Sequence, residues 1–303
     1  MRISYSPGYV AQLPEDHIFP MKKFSGLHDY LINNGLFKSS DIVEPSMVDF
    51  ANLYTVHTQN YGHGVWTGNL TKKEIRRMGL PWSKGLAIRS RLAVQGTINT
   101  GLMALQDGIA GNLAGGTHHA MPDHGEGFCV YNDVAVAIKV LRQSKWVNKV
   151  LIIDVDVHQG NGNASIFQDE PNVYTFSIHG EKNYPFVKPP SDLDVGLPDK
   201  TQDKQYLKTL SDSLDKVFNE FSPDLVFYLA GIDPLEEDHF GRLSLSLKGM
   251  EERERMVIET VTQKDIPLAL LLSGGYAPTI QKTVEAHAIM YKAAKEISAP
   301  YFR

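Results

Sequence analysis

Four short segments of this sequence combine residue types that can do chemistry: Gly115-Gly116-Thr117-His118-His119, Asp154-Val155-Asp156-Val157-His158-Gln159-Gly160-Asn161, Ala230-Gly231-Ile232-Asp233 and Ser273-Gly274-Gly275-Tyr276. Each closes a run that reads as a buried strand. One such ending is unremarkable as a turn or a helix cap. Four in succession are hard to explain as structure alone, because strand ends converge in an open α/β sheet and ligands bind there.

Asp154, Asp156 and His158 are spaced i, i+2 and i+4, so on an extended strand they point to one side. Two carboxylates and an imidazole brought together there repel or lie desolvated unless a cation sits among them. Asp233, at the end of another apolar run, can supply a further ligand. Two Asp and one His leave coordination positions open for water and substrate, as a catalytic zinc site requires, and the same donors also suit Fe(II). A two-metal site needs additional bridging carboxylates. The chain offers Gln159 and Asn161 after His158, and Leu235 two residues after Asp233, so one catalytic metal is expected.

Beside a metal, one of His118 and His119 would take a proton from water while the other positions it or stabilises charge. Each needs a partner on its second ring nitrogen, and Asp154 and Asn161 are available. An uncharged Asn partner leaves its histidine less basic than an Asp partner does. Tyr276, after Gly274 and Gly275, can donate a hydrogen bond to an oxyanion; the glycines let the backbone approach closely and turn the ring inward.

The elements that must position these groups follow from periodicity. Helices are expected over 90–107, 132–146, 203–221, 247–262 and 279–297, and strands over 113–116, 149–156, 172–178, 224–230 and 267–272. Lys149-Val150-Leu151-Ile152-Ile153 is continuously apolar, the pattern of a strand covered on both faces of a parallel sheet. Strands alternating with helices predict a three-layer open parallel sheet flanked by helices. No repeat, linker or low-complexity tract divides the chain, so 1–303 reads as a single domain. Residues 1–80 carry little pattern, and Lys72-Lys73-Glu74-Ile75-Arg76-Arg77 reads as a solvated helix face.

A net charge of −5 gives no support for direct nucleic-acid binding. The single cysteine, Cys129, excludes an intramolecular disulfide. No secretory signal or membrane-length apolar run is visible, so a cytoplasmic location without a membrane anchor is expected.

With Gly127-Phe128-Cys129-Val130-Tyr131-Asn132-Asp133, the four motifs resemble, in order, the histone deacetylase superfamily of the arginase-deacetylase fold, most strongly over residues 83–276. Asn161, Tyr184-Pro185 and Gly241-Arg242-Leu243-Ser244 look most like its class IV branch. The resemblance implies that Asp156, His158 and Asp233 hold zinc, that His119 is the general base and acid, and that His118 with Asp154 is its electrostatic partner. It implies that Tyr276 polarises the substrate carbonyl, and that Gly127, Phe128 and Tyr184 line the channel for the acylated side chain, the Gly127 carbonyl accepting the substrate amide hydrogen. It also implies a structural potassium ion near Asp154, Asp156, His158 and Ser177. Other branches have Asp where Asn161 stands. The expected activity is hydrolysis of acyl-lysine amides, acetyl or longer, by metal-activated water, with acetylpolyamines and other small acylated amines as the alternative substrates. A catalytically silent acyl-lysine binding module and a two-manganese ureohydrolase are weaker readings, since the expected groups are all present and the extra carboxylates are missing. Oligomeric state is not legible.

Overall fold

The computed structural model describes residues 1–298. Among these the strands are β1 (Ile3–Ser4), β2 (Ile42–Val43), β3 (Ile109–Asn112), β4 (Val150–Asp154), β5 (Val173–Gly180), β6 (Leu193–Leu197), β7 (Leu225–Leu229) and β8 (Leu268–Leu271). They form one sheet in the order β2-β1-β3-β8-β7-β4-β5-β6, with every pairing parallel. β4, β7 and β8 are VLIID, LVFYL and LALL, buried at every position. Such runs are what a sheet covered on both faces requires.

The helices are α1 (Lys23–Asn33), α2 (Phe50–Leu53), α3 (Gln59–Thr67), α4 (Lys72–Met78), α5 (Lys84–Asp107), α6 (Asp133–Gln143), α7 (Asn161–Phe167), α8 (Asp203–Glu220), α9 (Leu247–Thr262) and α10 (Ile280–Ser298). α5 packs on α6, whereas α8, α9, α10 and α1 pack on one another in turn. The two groups cover opposite faces, because successive residues of β7 meet different ones. The Phe227 ring lies against Gly101 of α5, and the Tyr228 hydroxyl donates to Glu254 of α9 at 2.7 Å. The architecture is the expected three layers.

Several boundaries differ from the sequence expectation. The strand expected over 113–116 lies earlier, at Ile109–Asn112. Gly115 and Gly116 have φ of +83° and +78°, which extended pairing does not allow. β4 ends at Asp154, so Asp156 and His158 sit in the turn beyond it and not along one face of the strand. β1 and β2, two residues each, and α7 escaped detection because so few residues carry no period. β6 alternates half-buried and exposed positions at the sheet edge, and only its last residue, Leu197, is buried. No helix among the described residues is long and apolar enough to cross a membrane.

Candidate metal centre

The ends of β3, β4, β7 and β8, four adjacent strands, deliver the four motifs to one place. After β3, Asp133 at the start of α6 accepts from the Gly116 and Thr117 amides at 3.1 and 2.7 Å, fixing the turn that presents His118 and His119. A Cβ on Gly116 would fall 2.8 Å from the Ser273 nitrogen, so glycine alone lets this turn pass the β8 end.

Asp156, His158 and Asp233 each offer a ligand atom, all within 4.8 Å of one another. Their other contacts aim them. Asp156 Oδ2 accepts from the Ser273 hydroxyl and the Gly274 amide, at 2.8 and 2.7 Å. Asp233 Oδ1 accepts from the Val157 amide at 2.9 Å. His158 Nδ1 lies 3.0 Å from Asp156 Oδ1 and 3.2 Å from Asp233 Oδ2, but Asp233 Oδ2 is buried with no hydrogen-bond donor among the described residues. A Cβ on Gly274 would meet both carboxylates, coming 2.6 Å from Asp156 Oδ2. An orphaned buried carboxylate oxygen, a second carboxylate and an imidazole, kept open by a glycine, fit a divalent cation. Asp154, grouped by its spacing with these residues and expected to pair with a histidine, turns to His118.

The two adjacent histidines have different partners. His118 Nδ1 is 2.7 Å from Asp154 Oδ2, and His119 Nδ1 is 2.6 Å from Asn161 Oδ1. Burial lowers His118, but Asp154 and Asp156 outweigh it and push the ring up to about 9. His119 is held well below the usual histidine range by burial and by His118 and His158, which its neutral Asn partner does not offset. Burial also lowers His158, yet Asp156 and Asp233 carry it up to about 10, while burial and Asp156 push Asp233 up to about 7. The cluster therefore retains a proton that a bound cation would displace.

Around these groups lies a cavity of roughly 280 Å³, lined by Phe19, Phe128, Tyr184, Phe240 and Tyr276 with both histidines. Gly127 and Phe128, at φ +55° and +65°, form a two-residue turn closed by the Glu126–Cys129 pair, whose amides and carbonyls exchange bonds of 3.0 and 2.8 Å. The Tyr184 ring stands edge-on to His119 at 5.1 Å, and Tyr276 stands edge-on to Phe240 at 4.8 Å. Gly275 packs on Ile232 and His287 behind Tyr276. Ser177 of β5 stands beside Asp154 of β4 in the sheet register, its hydroxyl 2.9 Å from His179 Nδ1. Cys129 lines the cavity, but burial raises its thiol and leaves it a poor nucleophile.

Sequence reasoning missed several groups. Asp238 accepts from the Tyr276 amide at 2.6 Å and from the Phe240 amide at 2.8 Å, joining two walls of the cavity. Lys23 and Arg89 line its inner end, fully buried, and donate to the Ser273 and Tyr9 carbonyls at 3.1 and 3.0 Å. Burial brings Lys23 down to about 8. In the sequence each of these is a single charged residue that no motif marks out. Their burial is a product of the tertiary fold.

Residues 17–291 match the family described as the histone deacetylase domain. An uncharacterized protein of Picosynechococcus sp. is 44% identical over 295 residues, 97% of this chain and 98% of that one. The acetoin utilization protein AcuC of Bacillus subtilis is 31% identical, covering 83% of this chain and 71% of its own length. Histone deacetylase 2 of Arabidopsis thaliana is 29% identical, covering 88% and 72%. An HDAC homologue crystallised with SAHA shares the fold, with a TM-score of 0.81 over 99% of this chain and 88% of that one at 24% identity. The HDAC homologue from Aquifex aeolicus gives 0.80 over 98% and 88%, also at 24% identity. With a family match across most of its length and the same fold, the chain belongs to the histone deacetylase family.

Proposed function

We propose that this histone deacetylase family hydrolase is a zinc-dependent deacylase of the class IV type that hydrolyses the amide of acylated lysine side chains. The observation that carries this reading is the convergence of Asp156, His158 and Asp233 at the end of an aromatic channel, beside two histidines of opposite proton affinity.

A divalent ion held by Asp156, His158 and Asp233 supplies, when bound, Lewis acidity toward a carbonyl and a water. The chain's own residues do the rest. His119, neutral at pH 7, accepts a proton from the attacking water at Nε2 and returns it to the leaving amine. His118, kept charged by Asp154, stabilises the negative charge that develops on the substrate. The Tyr276 phenol donates to the carbonyl oxygen as that charge grows. The Gly127 carbonyl accepts the amide hydrogen. Phe128 and Tyr184 hold the aliphatic stem and exclude water. A potassium ion near Asp154, Asp156, His158 and Ser177 belongs to the same reading, as a brace for the loop after β4.

The polarity of the channel favours lysine over a polyamine. Arg77 stands in the wall of the cavity, and Glu126 is already paired with it at 2.7 Å, so a second ammonium on the substrate would meet a guanidinium there. The test compares hydrolysis of an acetyl-lysine peptide, a myristoyl-lysine peptide and acetylspermidine. Faster turnover of either peptide supports the reading, and preference for acetylspermidine contradicts it.

A further inference from the structure

A hydrogen-bond chain runs from His119 away from the cavity. His119 Nδ1 meets Asn161 Oδ1 at 2.6 Å, and Asn161 Nδ2 donates to Glu126 Oε1 at 2.8 Å. Glu126 is buried, and its other oxygen accepts from Arg77 Nε at 2.7 Å. Its backbone is pinned to Cys129 across the Gly127–Phe128 turn, so the carboxylate is held in place from both ends.

An amide can present either its oxygen or its nitrogen to a histidine, and by itself Asn161 would accept either ring tautomer. The carboxylate removes that freedom. An ionised carboxylate only accepts, so Asn161 must turn its nitrogen to Glu126; the reverse orientation would set two acceptor oxygens 2.8 Å apart. The Asn161 oxygen then faces His119, and Nδ1 must carry the proton. Glu126 stays ionised because Tyr184, Asn161 and Arg77 together outweigh the burial that would protonate it.

We infer that Glu126 is a positioning residue: through Asn161 it locks His119 as the Nδ1–H tautomer and leaves the Nε2 lone pair free as the base. Where an acid pairs directly with a histidine, the acid fixes the tautomer and also raises the ring's basicity. Here the two tasks are divided. Glu126 fixes the tautomer from one residue away, and the neutral amide between them keeps His119 weakly basic. The inference rests on the proposed role of His119, but its primary readout does not require turnover.

The test is nitrogen-15 NMR of histidine-labelled, zinc-loaded protein near pH 7. The native chain should show His119 as Nδ1–H. Glu126→Gln, whose amide can donate as well as accept, should let Asn161 rotate and populate Nε2–H, with a roughly tenfold to hundredfold loss in kcat and little change in KM. Combining Glu126→Gln with Asn161→Asp should restore Nδ1–H, because the carboxylate introduced at 161 accepts from both neighbours. A merely structural Glu126 would lower the melting temperature and leave the tautomer unchanged. His119 as Nε2–H in the native chain, or an Nδ1–H signal that persists in Glu126→Gln, would overturn the inference, and the first outcome is readable even if the variant does not fold. An inactive native enzyme with the expected tautomer would sink the proposed function and leave the role of Glu126 standing.

Discussion

His118 and His119 are neighbours in sequence, with ring centroids 4.1 Å apart, yet their partners drive them in opposite directions. The carboxylate of Asp154 holds one ring charged, and the amide of Asn161 leaves the other neutral. Two imidazoles that share one environment but not one protonation state can divide acid and base work at neutral pH. Removing the neutral ring should therefore cost chemistry and not structure: His119→Ala is expected to keep its fold and metal content while turnover falls at least ~10²-fold. Tyr276→Phe should also fold and bind metal, losing roughly 10²–10³ in kcat, as when one donor to an oxyanion is removed. Stopped assays, circular dichroism and metal analysis on the same preparations check both. The Asp156, His158 and Asp233 cluster and the two histidines were legible in the sequence because Asp and His at the ends of apolar runs are conspicuous. Glu126 was not. Between two glycines it reads as a loop charge, and its contact with Asn161 spans 35 positions.

At the scale of elements, the long apolar runs of β4, β7 and β8 announced themselves, whereas two-residue β1 and β2 and the edge strand β6 did not. The spacing of Asp154, Asp156 and His158 suggested one continuous strand face. In the structure the last two lie past the strand end, where the backbone no longer alternates. The Arg253 guanidinium of α9, fully buried, reaches both strand ends, donating to the Val155 carbonyl past β4 at 3.4 Å and to the Gly231 carbonyl past β7 at 2.8 Å, and pairs with Glu254. Arg253→Met would leave Glu254 buried without its cation, at a cost of about 3–5 kcal/mol. Urea unfolding should show this loss, and much of it should be recovered when Glu254→Gln is added. His57 anchors another junction, its Nε2 accepting from the Asn132 amide at 2.9 Å at the start of α6. Burial pushes this ring from 6.5 down to about 4. The folded value lies below the unfolded one, so the unfolded chain binds the extra proton first. The stability His57 contributes is present above pH 6.5 and is lost as the pH falls toward 4, about 3 kcal/mol in all. An NMR titration of the His57 ring should give a midpoint near 4; a midpoint at 6 or higher would contradict its role as a buried neutral acceptor.

Across the whole molecule, a parallel sheet with chemistry at four adjacent strand ends carries a cavity walled by aromatic rings and closed inside by Lys23 and Arg89. The burial of the central strands and the layered parallel class follow from composition and period, whereas the sheet order does not. The inner cations and the Asp238 brace arise from packing between distant segments, which no local pattern reports. Everything proposed for the reaction depends on Asp156, His158 and Asp233 sharing one ion. Calorimetric titration of Zn²⁺ into metal-free protein tests this most directly: one ion should bind per chain, and affinity should fall by at least ~100-fold in Asp233→Ala. Two equivalent ions per chain, or undiminished binding in Asp233→Ala, would contradict it.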